Sequence, residues 1–124
     1  MVVRSGPHVA DAFELRTLID GLAADRHDFA EFFRAPSGTL SLTIARWPAG
    51  STDDQAPHGE DEVYYVAAGR GRLRIGDDTV EVGPGSIAFV AAGVDHRFSD
   101  VVEDLEVVVF WSPPRHTNRE APDR

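Results

Sequence analysis

Gln55-Ala56-Pro57-His58-Gly59-Glu60-Asp61-Glu62-Val63-Tyr64-Tyr65-Val66-Ala67-Ala68-Gly69 carries the chain from a polar loop into a strand, and its reading decides the fold. The loop end is irregular and places one imidazole and three carboxylates in the five positions from His58 to Glu62. From residue 62 to 68 the residues suit a pleated sheet. Alternation sends Glu62, Tyr64 and Val66 to one face, so a ligand-type side chain shares that face with an aromatic and an aliphatic one.

Further strands read outward from this one at 70–76, 79–82, 86–91, 96–101 and 105–111. Turn residues punctuate them: Gly69, Gly76-Asp77-Asp78, Gly83-Pro84-Gly85, the run from Ala92 to Asp95, and Glu103-Asp104. Upstream, Leu40, Leu42 and Ile44 alternate with Ser41, Thr43 and Ala45, a strand with one apolar face. Many short strands with turns at this density predict an all-β sandwich or barrel rather than βαβ units. Residues 10–34 read as helical. Ala10, Phe13, Leu15, Leu18, Ile19 and Leu22 approximate helical spacing, Gly21 marks a stop, and Phe29, Phe32 and Phe33 belong to a second short helix. The expected organisation is a helical segment over 1–36 packing on a barrel of 37–113, with a surface tail over 114–124.

At 124 residues the chain has room for one domain. The 21 acidic against 12 basic residues leave a net charge of −9, and a duplex-binding protein instead needs a basic face for the phosphates. Arg70, Arg72 and Arg74 alternate and are expected to face solvent. Cysteine is absent, which excludes disulfides, thiolate zinc sites and a cysteine nucleophile. No apolar run approaches the roughly 20 residues that span a bilayer, and the N-terminus lacks signal-peptide regions. The expectation is a cytoplasmic protein with neither a nucleic acid nor a membrane partner.

The chemistry gathers at two histidines. His58 and Glu62 can meet one metal if the loop between them bends. His96, at the start of a later strand, can join them only if the two strands are neighbours across a barrel interior. Two imidazoles and a carboxylate suit iron, manganese, nickel or zinc and leave positions open for substrate. The competing reading is ordinary: single histidines in loops are commonly solvated, and Glu60-Asp61-Glu62 reads equally as a solvated acidic face. His8, His27 and His116 are read as surface residues.

Gly50, His58, Glu62 and Gly69, followed by Gly85, Gly93 and His96, fall in the order and register of the two cupin motifs. From about residue 38 to 112 the chain resembles the cupin superfamily, the double-stranded β-helix or jelly-roll proteins. The run from Asp54 to Tyr65 is similar to a subgroup of small bacterial cupins. Three positions depart from the motifs: Ala56 stands for the first histidine, Ala91 for the proline and Asp100 for the asparagine. The resemblance therefore implies His58, Glu62 and His96 as ligands of a divalent ion, with the Gln55 amide oxygen as a fourth if Pro57 bends the chain. It also implies a small-molecule enzyme of dioxygenase or isomerase type, with Glu60 and Tyr64 moving protons, and a homodimer. Leu42, Ile44, Phe89 and Phe98 are the expected pocket walls. The alternative is a cupin that binds a small ligand without turnover or metal.

Overall fold

The computed structural model describes residues 11–25, 28–53 and 57–117. One helix, α1 (Leu15–Asp25), precedes six strands: β1 (Phe29–Arg34), β2 (Ser41–Trp47), β3 (Asp61–Ile75), β4 (Asp78–Val82), β5 (Ile87–Val90) and β6 (His96–Ser112). All pair antiparallel in the order β1-β2-β6-β3-β4, with β5 also on β3.

Two long strands organise the sheet. β3 and β6 pair from Asp61↔Ser112 to Ile75↔His96, with register shifts between Val66 and Arg72. Gly69 (φ 91°) lies there in β3, and Asp100 (φ 48°) lies in the facing part of β6. The expected turns at Gly69 and Glu103-Asp104 are therefore bulges inside continuous strands, which bend the ladder without ending it. The bend brings both halves of β3 onto one core. Tyr64 and Val66 from the first half and Leu73 from the second pack with Trp47, Phe98, Leu105, Val107, Val109 and Trp111. That curled antiparallel sheet is the jelly roll. Arg70, Arg72 and Arg74 point outward to Glu103, Asp100 and Asp95 in exposed pairs, each worth less than about 1 kcal/mol.

The N-terminal region is half helix and half strand. α1 runs through Gly21 to Asp25 and buries Ile19 and Leu22, with Leu15 and Leu18 beside them, on Ile44, Ala30, Phe32 and Val108. Arg16 pins it through two hydrogen bonds to Glu106 at 3.0 and 3.4 Å. Those bonds and the carboxylate charge raise the guanidinium pKa above its ordinary value. The second helix expected around Phe29, Phe32 and Phe33 is instead β1, paired from Phe29↔Ala45 to Arg34↔Ser41. A bulge between Glu31 and Phe33 breaks the two-residue alternation, so the phenylalanines fall at helical spacing on a strand.

The tail is also corrected. Pro114 and Arg115 are buried. The Arg115 amide donates to Ser41 Oγ (2.9 Å), its carbonyl accepts from Arg34 Nη2 (2.9 Å), and its guanidinium lies 4.3 Å over the Phe29 ring. Residues 118–124, and with them the rest of the expected tail, lie outside the described residues. No helix of the described residues is long and apolar enough to cross a membrane.

Candidate metal centre

Three elements converge on one point inside the sheet. His58 sits in the loop before β3, where its carbonyl accepts the Gly93 amide at 2.7 Å. Glu62 is the second residue of β3, flanked by Trp111 of β6 and Val90 of β5. His96 opens β6. All three residues are buried, 4%, 1% and 1% exposed, and one ligand atom from each lies within 4.8 Å of the others. β3 and β6 are neighbours, yet Glu62 pairs Trp111 and His96 pairs Ile75 at the far end of the ladder, so the curl of the sheet is what brings the two side chains together across its interior.

The hydrogen bonds settle which atoms face inward. His96 Nδ1 lies 2.9 Å from the Val94 carbonyl, an acceptor only, so Nδ1 carries a hydrogen, and in the neutral ring Nε2 presents a lone pair. That Nε2 stands 3.3 Å from Glu62 Oε1, and His58 Nε2 stands 3.9 Å from the same oxygen. A lone pair and a carboxylate oxygen this close repel each other unless a proton or a cation lies between them. At bond lengths of about 2.0–2.2 Å, two donors at right angles on one ion stand about 3 Å apart. The Glu62–His96 pair is close to that spacing already, and His58 needs a small inward movement. The donor set, two nitrogens and one oxygen, suits iron, manganese, nickel or zinc.

A second ring of contacts holds these groups. The Tyr64 hydroxyl donates to Glu62 Oε2 at 2.8 Å, which leaves Oε1 turned toward the imidazoles. His58 packs edge-on against Trp111 (centroids 4.8 Å apart, 76°), and the Trp111 indole N–H donates to Thr43 Oγ1 at 3.0 Å. Phe98 packs between Tyr64 and Trp47, and its amide donates to the buried Asp53 carboxylate at 2.8 Å. Tyr64→Phe keeps the ring and removes the bond to Glu62. Metal affinity is expected to fall roughly 10–100-fold, as when other partners of ligands are lost. Calorimetric titration of the variant with Mn²⁺ and Zn²⁺ checks it.

Of the expected pocket walls, only Phe98 faces the interior. Phe89 is 59% exposed, because the pairs Glu62↔Val90 and Tyr64↔Ala88 turn Val90 and Ala88 inward and Phe89 out. Leu42 and Ile44 lie on the outer face of β2, where Ile44 is buried beneath α1. The interior residues of β2 are Ser41, Thr43, Ala45 and Trp47, all buried. A covering helix makes the outer face apolar, while the inner face uses hydroxyls to satisfy Trp111 and Arg115. Glu60 is buried, and its Oε1 accepts from the His116 amide at 3.4 Å. Gln55 and Ala56, with His8 and His27, lie outside the described residues. Trp111, Thr43, Ser41, Arg115 and Asp53 were not among the expected site residues. Trp111 ends the apolar run that begins at Val107, which is the one trace the sequence offers of it.

A curled antiparallel sheet with a His/Glu/His cluster inside defines a jelly-roll protein with a candidate metal site. Residues 43–113 match the cupin domain family, and the chain belongs to that family. An uncharacterized protein of Streptomyces coelicolor is 41% identical over 103 residues, covering 83% of this chain and 96% of the relative. Among solved structures, KdgF from Halomonas sp. superposes with a TM-score of 0.63 at 18% identity, covering 71% of this chain and 79% of that one. The DMSP lyase DddQ from Ruegeria pomeroyi gives 0.61 at 24% identity, covering 80% of this chain and 52% of that one. At these identities the likenesses establish the fold.

Proposed function

We propose that this cupin is a metal-dependent small-molecule enzyme of dioxygenase or isomerase type, with His58, Glu62 and His96 as its metal ligands. The observation that carries the reading is the Glu62 Oε1 position, 3.3 Å from a His96 nitrogen whose hydrogen is committed elsewhere. A divalent ion held there supplies Lewis acidity toward substrate oxygens, or oxygen activation where the ion is iron. The chain's own groups do the rest. Tyr64 orients Glu62 and carries a phenolic proton at the edge of the cluster. Glu60, buried two residues before Glu62, is the second group able to take up a proton. Trp47, Tyr64, Phe98 and Trp111 line the interior with aromatic surface, which favours a small, partly apolar or aromatic substrate. The likeness to a lyase of the same fold supports catalysis in general and does not choose the reaction.

The test is metal titration of the full chain, freed of metal, with Fe²⁺, Mn²⁺, Ni²⁺ and Zn²⁺ in turn. One ion per chain is expected, and at a hundredfold excess over Kd the folded state gains about 2.7 kcal/mol, raising Tm by several degrees. Binding weakens as pH falls, because protons compete for the imidazole nitrogens. A Tm indifferent to all four ions and to chelator would overturn the reading and leave the metal-free, ligand-binding alternative. Oxygen uptake during turnover then separates dioxygenase from isomerase.

A further inference from the structure

The turn that follows β6 brings one more charged group into the interior. The chain contains no lysine, so every fixed cation is an arginine. Seven of the eight described arginines pair with carboxylates that solvent reaches, as Arg34 does with Glu31 and Arg74 with Asp95. Among the described residues Arg115 is the one buried arginine, 9% exposed. Its backbone is fixed at both ends, the amide on Ser41 Oγ and the carbonyl under Arg34 Nη2. Its guanidinium lies 4.3 Å from the Phe29 ring centre and 5.7 Å from that of Trp111. Trp111 also meets the His58 ring, so the same indole neighbours both this cation and a member of the His/Glu/His cluster. The next amide, that of His116, donates to the buried Glu60 carboxylate, which sets the whole turn against the same end of the barrel.

We propose that Arg115 determines specificity, receiving the carboxylate of a small organic acid whose body lies along the aromatic walls toward His58, Glu62 and His96. A guanidinium is a costly plug for a barrel end, because burial strips its hydration, and an apolar side chain would cover Phe29 and Trp111 without that penalty. The group also cannot escape the penalty by losing its proton. Stacked on aromatic faces, it keeps its N–H groups in its own plane, directed past the rings. Five donors in a fixed fork suffice for a bidentate carboxylate beside a further contact, a match that a point-charge ammonium lacks. Charge narrows the choice as well. A chain with a net charge of −9 repels anions, so an acid that enters needs a fixed cation, and Arg115 is the one that the described interior offers. Glu60 and Glu62 oppose such a guest, and Arg115 together with a divalent ion offsets them. The far end of this substrate rests on the metal reading given above, whereas its acid end rests on Arg115 alone.

Titration calorimetry on the full chain, freed of metal, tests the acid end by itself. The probes are benzoate and butyrate against their amides, benzamide and butyramide, pairs alike in shape and different in charge. At least one acid is expected to bind roughly tenfold or more tighter than its amide, as charge-assisted hydrogen bonds exceed neutral ones. Arg115→Gln is expected to erase that preference, and Arg115→Lys to keep part of it, retaining the charge without the fork. Arg72→Gln, which breaks the outward pair with Asp100, is expected to leave it intact. Arg115→Gln should hold Zn²⁺ no more weakly than the wild type, since removing one cation does not disfavour another. An acid preference in a chain that binds no Zn²⁺ would sink the metal reading and support this one. Acids bound no better than amides by the wild type, a comparison that needs no variant to fold, would overturn the proposal and leave Arg115 a counter-charge for its own interior. A preference that survives in Arg115→Gln would overturn it equally.

Discussion

His96→Ala is expected to lower metal affinity by more than about 100-fold while the sheet stays folded, since losing a ligand costs more than losing a ligand's partner. The imidazole contributes one of the three converging donors, and its Nε2 approaches Glu62 Oε1 more closely than that of His58, at 3.3 against 3.9 Å. The fold survives because the apolar cluster is built from Trp47, Tyr64, Leu73, Leu105, Val107 and their neighbours, which the buried His96 ring borders at Tyr64, centroids 5.9 Å apart. The variant does strip the Val94 carbonyl of its donor, which costs about 1–3 kcal/mol where that group is shielded from water. Asp95→Ala is the matched control. Asp95 is adjacent in sequence but turns outward, to Arg74 at 2.6 Å, so its loss should leave metal affinity intact. Equilibrium titration with Zn²⁺ and far-ultraviolet circular dichroism on both variants check the pair. Unchanged affinity in His96→Ala would remove this residue from the site.

The contrast between His96 and Trp111 explains how far the site was legible. The short-range pieces were readable: Glu62, Tyr64 and Val66 alternate inward in an unbroken stretch, and His96 and Phe98 do the same three strands later. Motif spacing added the expectation that these stretches meet. What alternation could not convey is how facing continues through a bulge. In β6 the buried residues are His96 and Phe98, then Val101, Leu105, Val107, Val109 and Trp111, so the inward parity changes from even to odd across Asp100. Counting by twos from His96 puts Trp111 on the outside, where in fact it packs against His58. β3 repeats the change, from Glu62, Tyr64 and Val66 to Leu73. The walls assigned to β2 and β5 failed for a related reason. A pattern of two faces shows which residues share a side, and the covering helix, absent from that pattern, decides which side is core. β1 was misread because its bulge imitates helical spacing, and Arg115 because its partners, Ser41 and Phe29, are more than seventy residues away in the chain.

These parity changes require a residue at the bend that tolerates both the backbone angle and the crossing strand, and at Gly69 the two demands coincide. Gly69→Ala is expected to destabilise the fold by more than about 4 kcal/mol, in the range reserved for severe core and backbone damage. Its φ of 91° lies in the left-handed region, where side chains are strained. An added Cβ would overlap the Asp104 carbonyl oxygen and lie 2.6 Å from its carbon and 2.7 Å from Leu105 Cα. Those are backbone atoms of the neighbouring strand, held in the β3–β6 ladder, so they cannot step aside as a flexible side chain would. Relief requires shifting β6 where Leu105, fully buried, enters the core. Gly76→Ala separates the two costs. Gly76 also has a positive φ, 59°, but nothing lies within 4 Å of where its Cβ would go, so only the backbone strain of about 1–2 kcal/mol remains. Urea unfolding of both variants measures the difference. Should Gly69→Ala unfold at the same urea concentration as Gly76→Ala, the strands are free to part at the bend, and the parity change that turns Trp111 toward His58 is not enforced by close packing there.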